Sequence, residues 1–203
     1  MNRLLKIGFL AGLVGGFAST AAAQIRPERG STTIETFTGN AVHMASGKSG
    51  AVTINITRWS TDEEREKLLD VLKESGQKAM IADLQRLPQV GFIRLPNTMG
   101  VALFYARSNN LPDGTRQVVL GTARAIGMAA QAPQKSRYDA TVIEIHFPPG
   151  GGNGSGKIVL AGRANVGADG QVQISNWQGE PIRLRNVRAS VPRNVTPAAP
   201  ASQ

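Results

Sequence analysis

The chain contains no cysteine, few aromatic residues and few acids. Its 203 residues include no Cys, 5% Phe, Trp and Tyr, and only two histidines. The absence of Cys excludes thiol catalysis, disulfides and cysteine metal sites, so stability has to come from burial and hydrogen bonding. After the first 24 residues no apolar run is long enough to cross a membrane, so we expect no transmembrane anchor in the mature chain.

The first 24 residues have the three-part pattern of a secretory signal peptide. Arg3 and Lys6 precede an apolar run at residues 7–17, and small residues follow as far as Ala23. Signal peptidase requires small residues at such positions, and the run is about half as long as a spanning helix. The sequence therefore predicts a signal peptide at residues 1–23, cleavage before Gln24, and export to the periplasm or the outside of a bacterial cell.

Acidic residues are scarce and unevenly placed. Without Arg3 and Lys6 the formal net charge falls from +9 to +7. Residues 62–83 hold seven acids and four bases, whereas residues 84–203 hold five acids and thirteen bases. A basic C-terminal part suits an anionic envelope component, such as a lipid surface or cell-wall phosphate. The alternative is that positive charge only keeps the protein soluble.

The hydrophobic pattern predicts one β-rich domain at residues 31–190, between a flexible lead-in at 24–30 and a disordered tail at 191–203. Period-two alternation is clearest at residues 52–57, 141–147 and 182–185. About nine short strands with short turns favour antiparallel pairing. The predicted fold class is therefore α+β, mostly antiparallel β, as a sandwich or a partial barrel.

A helical region interrupts the strands after the second one. Ser60 and Glu63 have the spacing of a capping box, and acids at 62–64 suit the positive end of a helix dipole. Ser75 and Gly76 interrupt the apolar stripe, and Pro88 ends the second run. This pattern predicts a pair of helices packed over the sheet.

The glycine-rich stretch at residues 151–157 resembles a phosphate-binding loop by spacing only. The position after Lys157 is Ile158, where a serine or threonine hydroxyl would hold magnesium. A strand follows this stretch, so no helix N-terminus can receive phosphate. We interpret it as a hairpin connection, and we expect no cofactor.

Glu144 and His146 are the candidate catalytic residues. Two residues apart on a strand, they project from one face. Such a pair can supply metal ligands, with His43 as a conjectural third, or an acid/base with its orienting group. It can equally be an ion pair on a solvated face, and we assign no metal site. Asp139 and Glu144 could be paired carboxylates, but nothing in the sequence fixes their separation.

Arg183, Arg185, Arg163 and Trp177 are the candidate ligand-binding residues. Arg183 and Arg185 alternate with the apolar positions of the last strand, and Arg188 continues the series. With Arg163 nearby they would form an anion-binding ladder, and Trp177 could stack on a sugar. Nucleic acid would require more interleaved aromatic residues, so we expect no nucleic-acid partner. Trp59 and Trp177 can alternatively cover the core.

Several segments together resemble an uncharacterised family of exported bacterial proteins. The similarity runs through residues 57–65, 90–96, 105–107, 111–114 and 118–120, and covers roughly residues 50–188. This family has no assigned activity, so the resemblance implies export and domain boundaries but no function. Family members carry a proline and an aromatic residue where this chain has residues 125–128, so that loop is expected to differ.

The sequence thus predicts a non-enzymatic exported domain that binds an anionic envelope component, or another protein, through a basic face. The alternative is a small metal-dependent or acid/base hydrolase that uses Glu144 and His146. A closed cup with Glu144, His146 and arginines inside would favour small-ligand binding or catalysis, and a filled apolar interior would favour a structural or adaptor role.

Overall fold

A computed structural model describes residues 32–44, 46–96, 99–126, 140–160, 163–166, 172–175 and 182–192. This part of the chain is mostly antiparallel β with one helix. The elements, in chain order, are β1 Glu35–His43, β2 Ser49–Ile56, α1 Asp62–Leu84, β3 Gly91–Arg94, β4 Val101–Leu103, β5 Tyr105–Asn110, β6 Arg116–Thr122, β7 Thr141–Phe147, β8 Gly154–Leu160, β9 Arg163–Val166, β10 Val172–Ser175 and β11 Ile182–Ser190.

Nine of these strands form one nearly closed, barrel-like sheet in the order β4-β3-β2-β1-β11-β8-β7-β6-β5, while β9 and β10 pair separately. Every pairing is antiparallel. Only Phe104 separates β4 from β5, yet these strands stand at opposite ends of the sheet order. Residues 101–110 therefore supply the strand at each edge of the sheet, and the bend at Phe104 brings the two edges together.

Ser60 fills the gap at this seam. Ala106 of β5 has both backbone groups directed away from β6, and Ser60 satisfies them: its N–H donates to the Ala106 carbonyl at 2.8 Å. Its hydroxyl accepts from the Ala106 N–H at 3.1 Å. Phe104 meanwhile donates to the Gly121 carbonyl at 3.0 Å. Because unpaired strand edges are costly when buried, these bonds let the sheet close without a continuous ladder.

The interior is filled by one face of each strand. Phe37, Ile54, Leu120, Ile143 and Leu184 are each at most 1% exposed and belong to one core cluster. An eight-strand circumference leaves room for packed side chains and little else, and the joined β4–β5 segment gives this sheet that circumference. The alternation predicted for β7 is confirmed, because Thr141, Ile143, Ile145 and Phe147 are all buried. In β11 it is confirmed for residues 182–185, where Arg183 and Arg185 are exposed and Ile182 and Leu184 are buried.

An arginine closes one end of the barrel. The Arg116 guanidinium donates to both oxygens of the buried Glu35, at 2.7 and 2.8 Å. It also lies 5.8 to 6.0 Å from the ring centroids of Phe37, Trp59 and Phe147. A planar cation can satisfy a carboxylate edge-on and contact aromatic rings with its faces. Trp59 thus covers the core, as the more conservative of its two interpretations predicts.

The helix begins one residue later than the sequence predicts. Thr61, not Ser60, is the N-cap, and Glu64, not Glu63, completes the capping box. The prediction was wrong because Ser60 is engaged at the β5 edge, which leaves the next hydroxyl to accept from the helix. Within α1, the backbone of Gly76 leaves the helical conformation, with φ 78°, and kinks the helix. Glycine adopts this conformation readily. The division into two helices stays a prediction.

The helix packs on the outer surface of β5 and β6. Leu68 and Leu84 form a second cluster with Ala123, and Tyr105 packs against it. Gly121 admits this contact, since an added Cβ would lie 3.3 Å from Tyr105. Burial there raises the pKa of Tyr105. β11 stands four strands from the β4–β5 segment in either direction around the sheet, so it forms the opposite wall.

The structure leaves several predictions untested. The signal peptide and lead-in, most of the tail, and residues 127–139 lie outside the described residues. The interpretation of residues 151–157 as a hairpin connection is confirmed only for residues 151–153, because β8 begins at Gly154 and Ser155, Gly156 and Lys157 already pair with β7. Among the described residues, no helix combines the length and apolar character needed to span a bilayer.

Candidate binding face

The outer surface of β1, β2 and β11 is polar and basic, and we call it the arginine face. Arg183, Arg185 and Arg188 project from β11 and are exposed. Register places Val42, Asn40 and Thr38 of β1 beside them, respectively. Glu35 is the only acid in these three strands, and it is 7% exposed and paired with Arg116. The face therefore combines cationic and neutral polar groups without a carboxylate.

The three arginines of this face make no ion pair with any described residue. Four other arginines each meet a carboxylate. The pairs are Arg58–Glu64, Arg86–Asp83, Arg107–Asp62 and Arg116–Glu35. An exposed guanidinium without an internal partner keeps five donors available to an external anion.

A bulge in β11 shapes the centre of the face. The register shifts against both neighbouring strands, between Leu184 and Val187 on one side and between Thr38 and Asn40 on the other. Asn186 lies at the bulge with φ 52°, the only positive φ of a non-glycine residue in the described segments. Gly39 faces it closely, because an added Cβ would approach the Arg185 carbonyl to 3.0 Å.

The bulge opens a depression of about 470 Å³ on the outer surface. Among the described residues, its lining comprises Thr38, Gly39, Asn40, Asn153, Asn186 and Arg188, all of which carry polar side chains apart from the glycine. Bulges re-aim side chains and recur beside functional sites. The sequence analysis identified Arg188 but missed the asparagines. The available signals were a glycine within β1 and an asparagine within β11, both disfavoured in strand interiors.

The other predicted ligand-binding residues are not all brought to this face. Arg183 and Arg185 lie where the sequence predicts. Arg163 begins β9, which pairs with β10 outside the nine-stranded sheet. Trp177 lies outside the described residues.

Glu144 and His146 lie together on the outer surface of β7. His146 Nε2 is 2.9 Å from Glu144 Oε1, which also accepts from Gln117 at 2.8 Å. Lys157 Nζ lies 3.0 Å from the other oxygen. Burial opposes ionisation of Glu144, but hydrogen bonds from Lys157, His146 and Gln117 outweigh it and hold the pKa of this carboxyl below its ordinary value of 4.5.

His43 is not brought to this pair. Across the sheet, His43 pairs with Ile182, and the same row continues with Ile158 and Ile143. His146 lies in a different row, where it pairs with Ser155. The strands β11 and β8 also separate the two histidines, a span of about 14 Å. Instead, His43 Nδ1 lies 3.0 Å from the Ser46 hydroxyl. The described residues contain no group of three His, Asp or Glu side chains that could hold a metal ion. Asp139 is not described.

The fold and this surface define an antiparallel, barrel-like domain with a filled interior and an arginine-bearing outer wall. Comparison of the chain with protein-family models, with curated proteins and with solved structures finds no match. The resemblance to an exported bacterial family accordingly stays a prediction.

Proposed function

We propose that this protein is an exported, non-enzymatic binding domain of the bacterial cell envelope, and that its arginine face contacts an anionic envelope component. The single observation that carries this proposal is the set of three exposed arginines, Arg183, Arg185 and Arg188, on a wall without a surface carboxylate. Such a surface attracts polyanions and repels other cations over the Debye length.

The filled barrel supports a surface contact over an internal one. Core residues such as Ile143, Ile145 and Val118 occupy the interior and are fully buried. Small-molecule sites are usually concave and enclosed. An arginine-bearing outer wall suits a large, extended partner instead.

The test is a salt titration of binding. The mature chain, residues 24–203, is titrated with polygalacturonate and with phosphatidylglycerol vesicles from about 0.01 M to about 1 M salt, where the Debye length falls from about 30 Å to about 3 Å. We expect association that weakens steeply with salt. The double variant Arg183→Gln/Arg185→Gln should bind about tenfold more weakly at low salt.

A matched variant distinguishes this face from general basicity. Arg94→Gln removes an exposed arginine from β3, outside the arginine face. It should lower affinity far less than the double variant. If no polyanion associates in a salt-sensitive manner, or if Arg94→Gln is equivalent to the double variant, the proposed face is wrong. Association with an envelope protein alone would replace the polyanion with a protein partner.

Export is the second part of the proposal and is supported by the pattern at residues 1–23. Cell fractionation with N-terminal sequencing tests it independently of binding. We expect the protein in the periplasm or the medium, beginning at Gln24. Recovery of a chain beginning at Met1 in the cytoplasm would contradict export.

A second candidate function is a small acid/base or metal-dependent hydrolase. The observation that favours it is the contact between His146 Nε2 and Glu144 Oε1, which orients the ring and leaves Nδ1 without a hydrogen bond to the described residues. A carboxylate–histidine pair of this kind can act as a base.

Purified protein tests the hydrolase directly, by metal analysis and by a screen of ester, phosphate and glycoside substrates. His146→Ala should abolish any activity or bound metal that belongs to this pair. Gln117→Ala, which removes only a neighbour of Glu144, should reduce activity less. Unchanged metal content and activity in His146→Ala would eliminate this function.

A further inference from the structure

The depression beside the β11 bulge carries a mixture of donors and acceptors around a single charge. Asn40, Asn153 and Asn186 each offer a carboxamide, with two donors and one acceptor oxygen. Thr38 adds a hydroxyl, and Arg188 adds the only cation among the described residues of the lining. None of these five side chains makes a hydrogen bond within the described part of the chain, although elsewhere on β1 the Thr36 hydroxyl donates to Asn55 at 2.8 Å.

The backbone holds this arrangement in an uncommon conformation. Asn186 is the one described non-glycine residue with positive φ, at 52°, and asparagine is among the few residues that tolerate it. The register shifts on both sides of β11 fall at the same place. A backbone outlier held by two strands motivates a functional hypothesis for the side chains that it presents.

We infer that this depression is a subsite for one acidic sugar unit of an anionic polysaccharide, an inference that rests on the proposed polyanion-binding function. Arg188 would pair with the carboxylate of the sugar. The carboxamides of Asn40, Asn153 and Asn186 would exchange hydrogen bonds with its hydroxyl groups. The open form of the depression allows the polymer to continue along the wall, past Arg185 and Arg183.

The balance of groups favours a sugar over a phosphate or a lipid. A phosphate oxygen only accepts hydrogen bonds, so it would use the donors and leave three amide oxygens without partners; a sugar hydroxyl both donates and accepts. A lipid surface would favour exposed apolar groups beside the cations. Among the described residues, the exposed large apolar side chains are Met44, Met99 and Val191. Met44 and Val191 directly follow the ends of β1 and β11, and none of the three lies within β1, β2 or β11.

The test compares three probes on single variants: polygalacturonate, polyphosphate, and vesicles of phosphatidylglycerol and phosphatidylcholine. Asn40→Ala and Asn186→Gly each remove one carboxamide, and glycine keeps the positive φ of residue 186. Asn110→Ala, which removes an exposed carboxamide at the end of β5 and outside the arginine face, is the matched control. Thermal unfolding verifies that each variant is folded.

We expect Asn40→Ala and Asn186→Gly to weaken polygalacturonate binding about three- to tenfold, the effect of about one lost hydrogen bond. Polyphosphate affinity should stay within about twofold, because charge is unchanged. Arg188→Gln should weaken binding to both polymers, and Asn110→Ala should weaken binding to neither.

The outcomes separate the two proposals. Unchanged polygalacturonate affinity in both asparagine variants, with the Arg183→Gln/Arg185→Gln loss intact, would overturn the subsite and leave the polyanion function standing. Equal losses for polygalacturonate and polyphosphate would also overturn the sugar assignment. Losses confined to vesicles would assign the depression to a lipid headgroup instead. Absence of wild-type binding to every probe would overturn both proposals.

Discussion

The arginines on two opposite sides of the barrel differ in whether they contact a carboxylate. Beside α1, Arg107 of β5 and two arginines of the connecting segments, Arg58 and Arg86, each contact an acid of that helix. On the opposite wall, Arg183, Arg185 and Arg188 contact no described carboxylate. Both walls belong to one continuous sheet. The difference therefore comes from what packs against the sheet, and not from the sheet itself.

The uneven charge of the sequence explains this difference. The acid-rich segment at residues 62–83 becomes α1 and neutralises the arginines that it reaches. Because β11 lies four strands from the β4–β5 segment, its arginines are beyond that reach. The arginines paired with α1 contribute to the fold, whereas the three of the arginine face are available for binding. Removing members of each group tests this distinction.

The largest expected effect is that of Arg116→Ala. The substitution leaves Glu35, 7% exposed, as a buried carboxylate without its cation and removes the contact with three aromatic rings. We expect a loss of about 3 kcal/mol in the free energy of unfolding, measured by urea denaturation. Arg185→Ala is the matched control and should cost less than about 0.5 kcal/mol. Equal losses would remove the distinction between paired and unpaired arginines.

A smaller effect is expected from Glu64→Ala. Glu64 accepts two hydrogen bonds from Arg58, at 3.0 and 2.8 Å, and one from the Thr61 N–H at 3.1 Å. The loss of the pair and the capping box together should cost about 1 to 2 kcal/mol in urea denaturation. Glu63→Ala removes an acid of the first turn but not the N3 residue of the capping box, so it should cost less than Glu64→Ala. A larger loss of stability for Glu63→Ala than for Glu64→Ala would contradict Thr61 as the N-cap and support Ser60, which the sequence predicts.

The smallest effect concerns the pH dependence of Glu144. The pKa of this carboxyl is held below its ordinary value of 4.5 in the folded protein. Its contribution to stability is therefore present above about pH 4.5 and disappears as pH falls through the folded-state pKa. Glu144→Gln should cost about 0.5 to 1 kcal/mol at neutral pH and progressively less in acid. If urea denaturation gave the same difference in the free energy of unfolding between the wild type and Glu144→Gln at neutral and at acid pH, this account would be contradicted.

The strands of the barrel were largely predictable, because one buried face per strand produces period-two alternation. In β11, Ile182 and Leu184 are buried and alternate with the exposed Arg183 and Arg185, as the sequence predicts. The seam was not predictable. It depends on the hydrogen bonds between Ser60 and the backbone of Ala106, which lies 46 positions further along the chain. No local sequence pattern indicates such a contact.

The candidate site was predictable in charge but not in shape. Alternation alone placed Arg183 and Arg185 on an outer face. The depression requires a register shift against two strands at once, and register depends on tertiary pairing. The grouping of Asn40 with Asn153 and Asn186 likewise follows from strand order, which the sequence does not specify.

The most direct measurement is a map of backbone amide chemical shifts in the mature protein as polygalacturonate is added. The account predicts that perturbed amides concentrate in β1, β11 and the start of β8, around Asn186 and Arg188, and that they recover at high salt. Amides of α1, β5 and β6 should change little. Perturbation centred on those elements, or an unchanged spectrum at saturating polymer, would contradict the claim that the unpaired arginines form the binding wall.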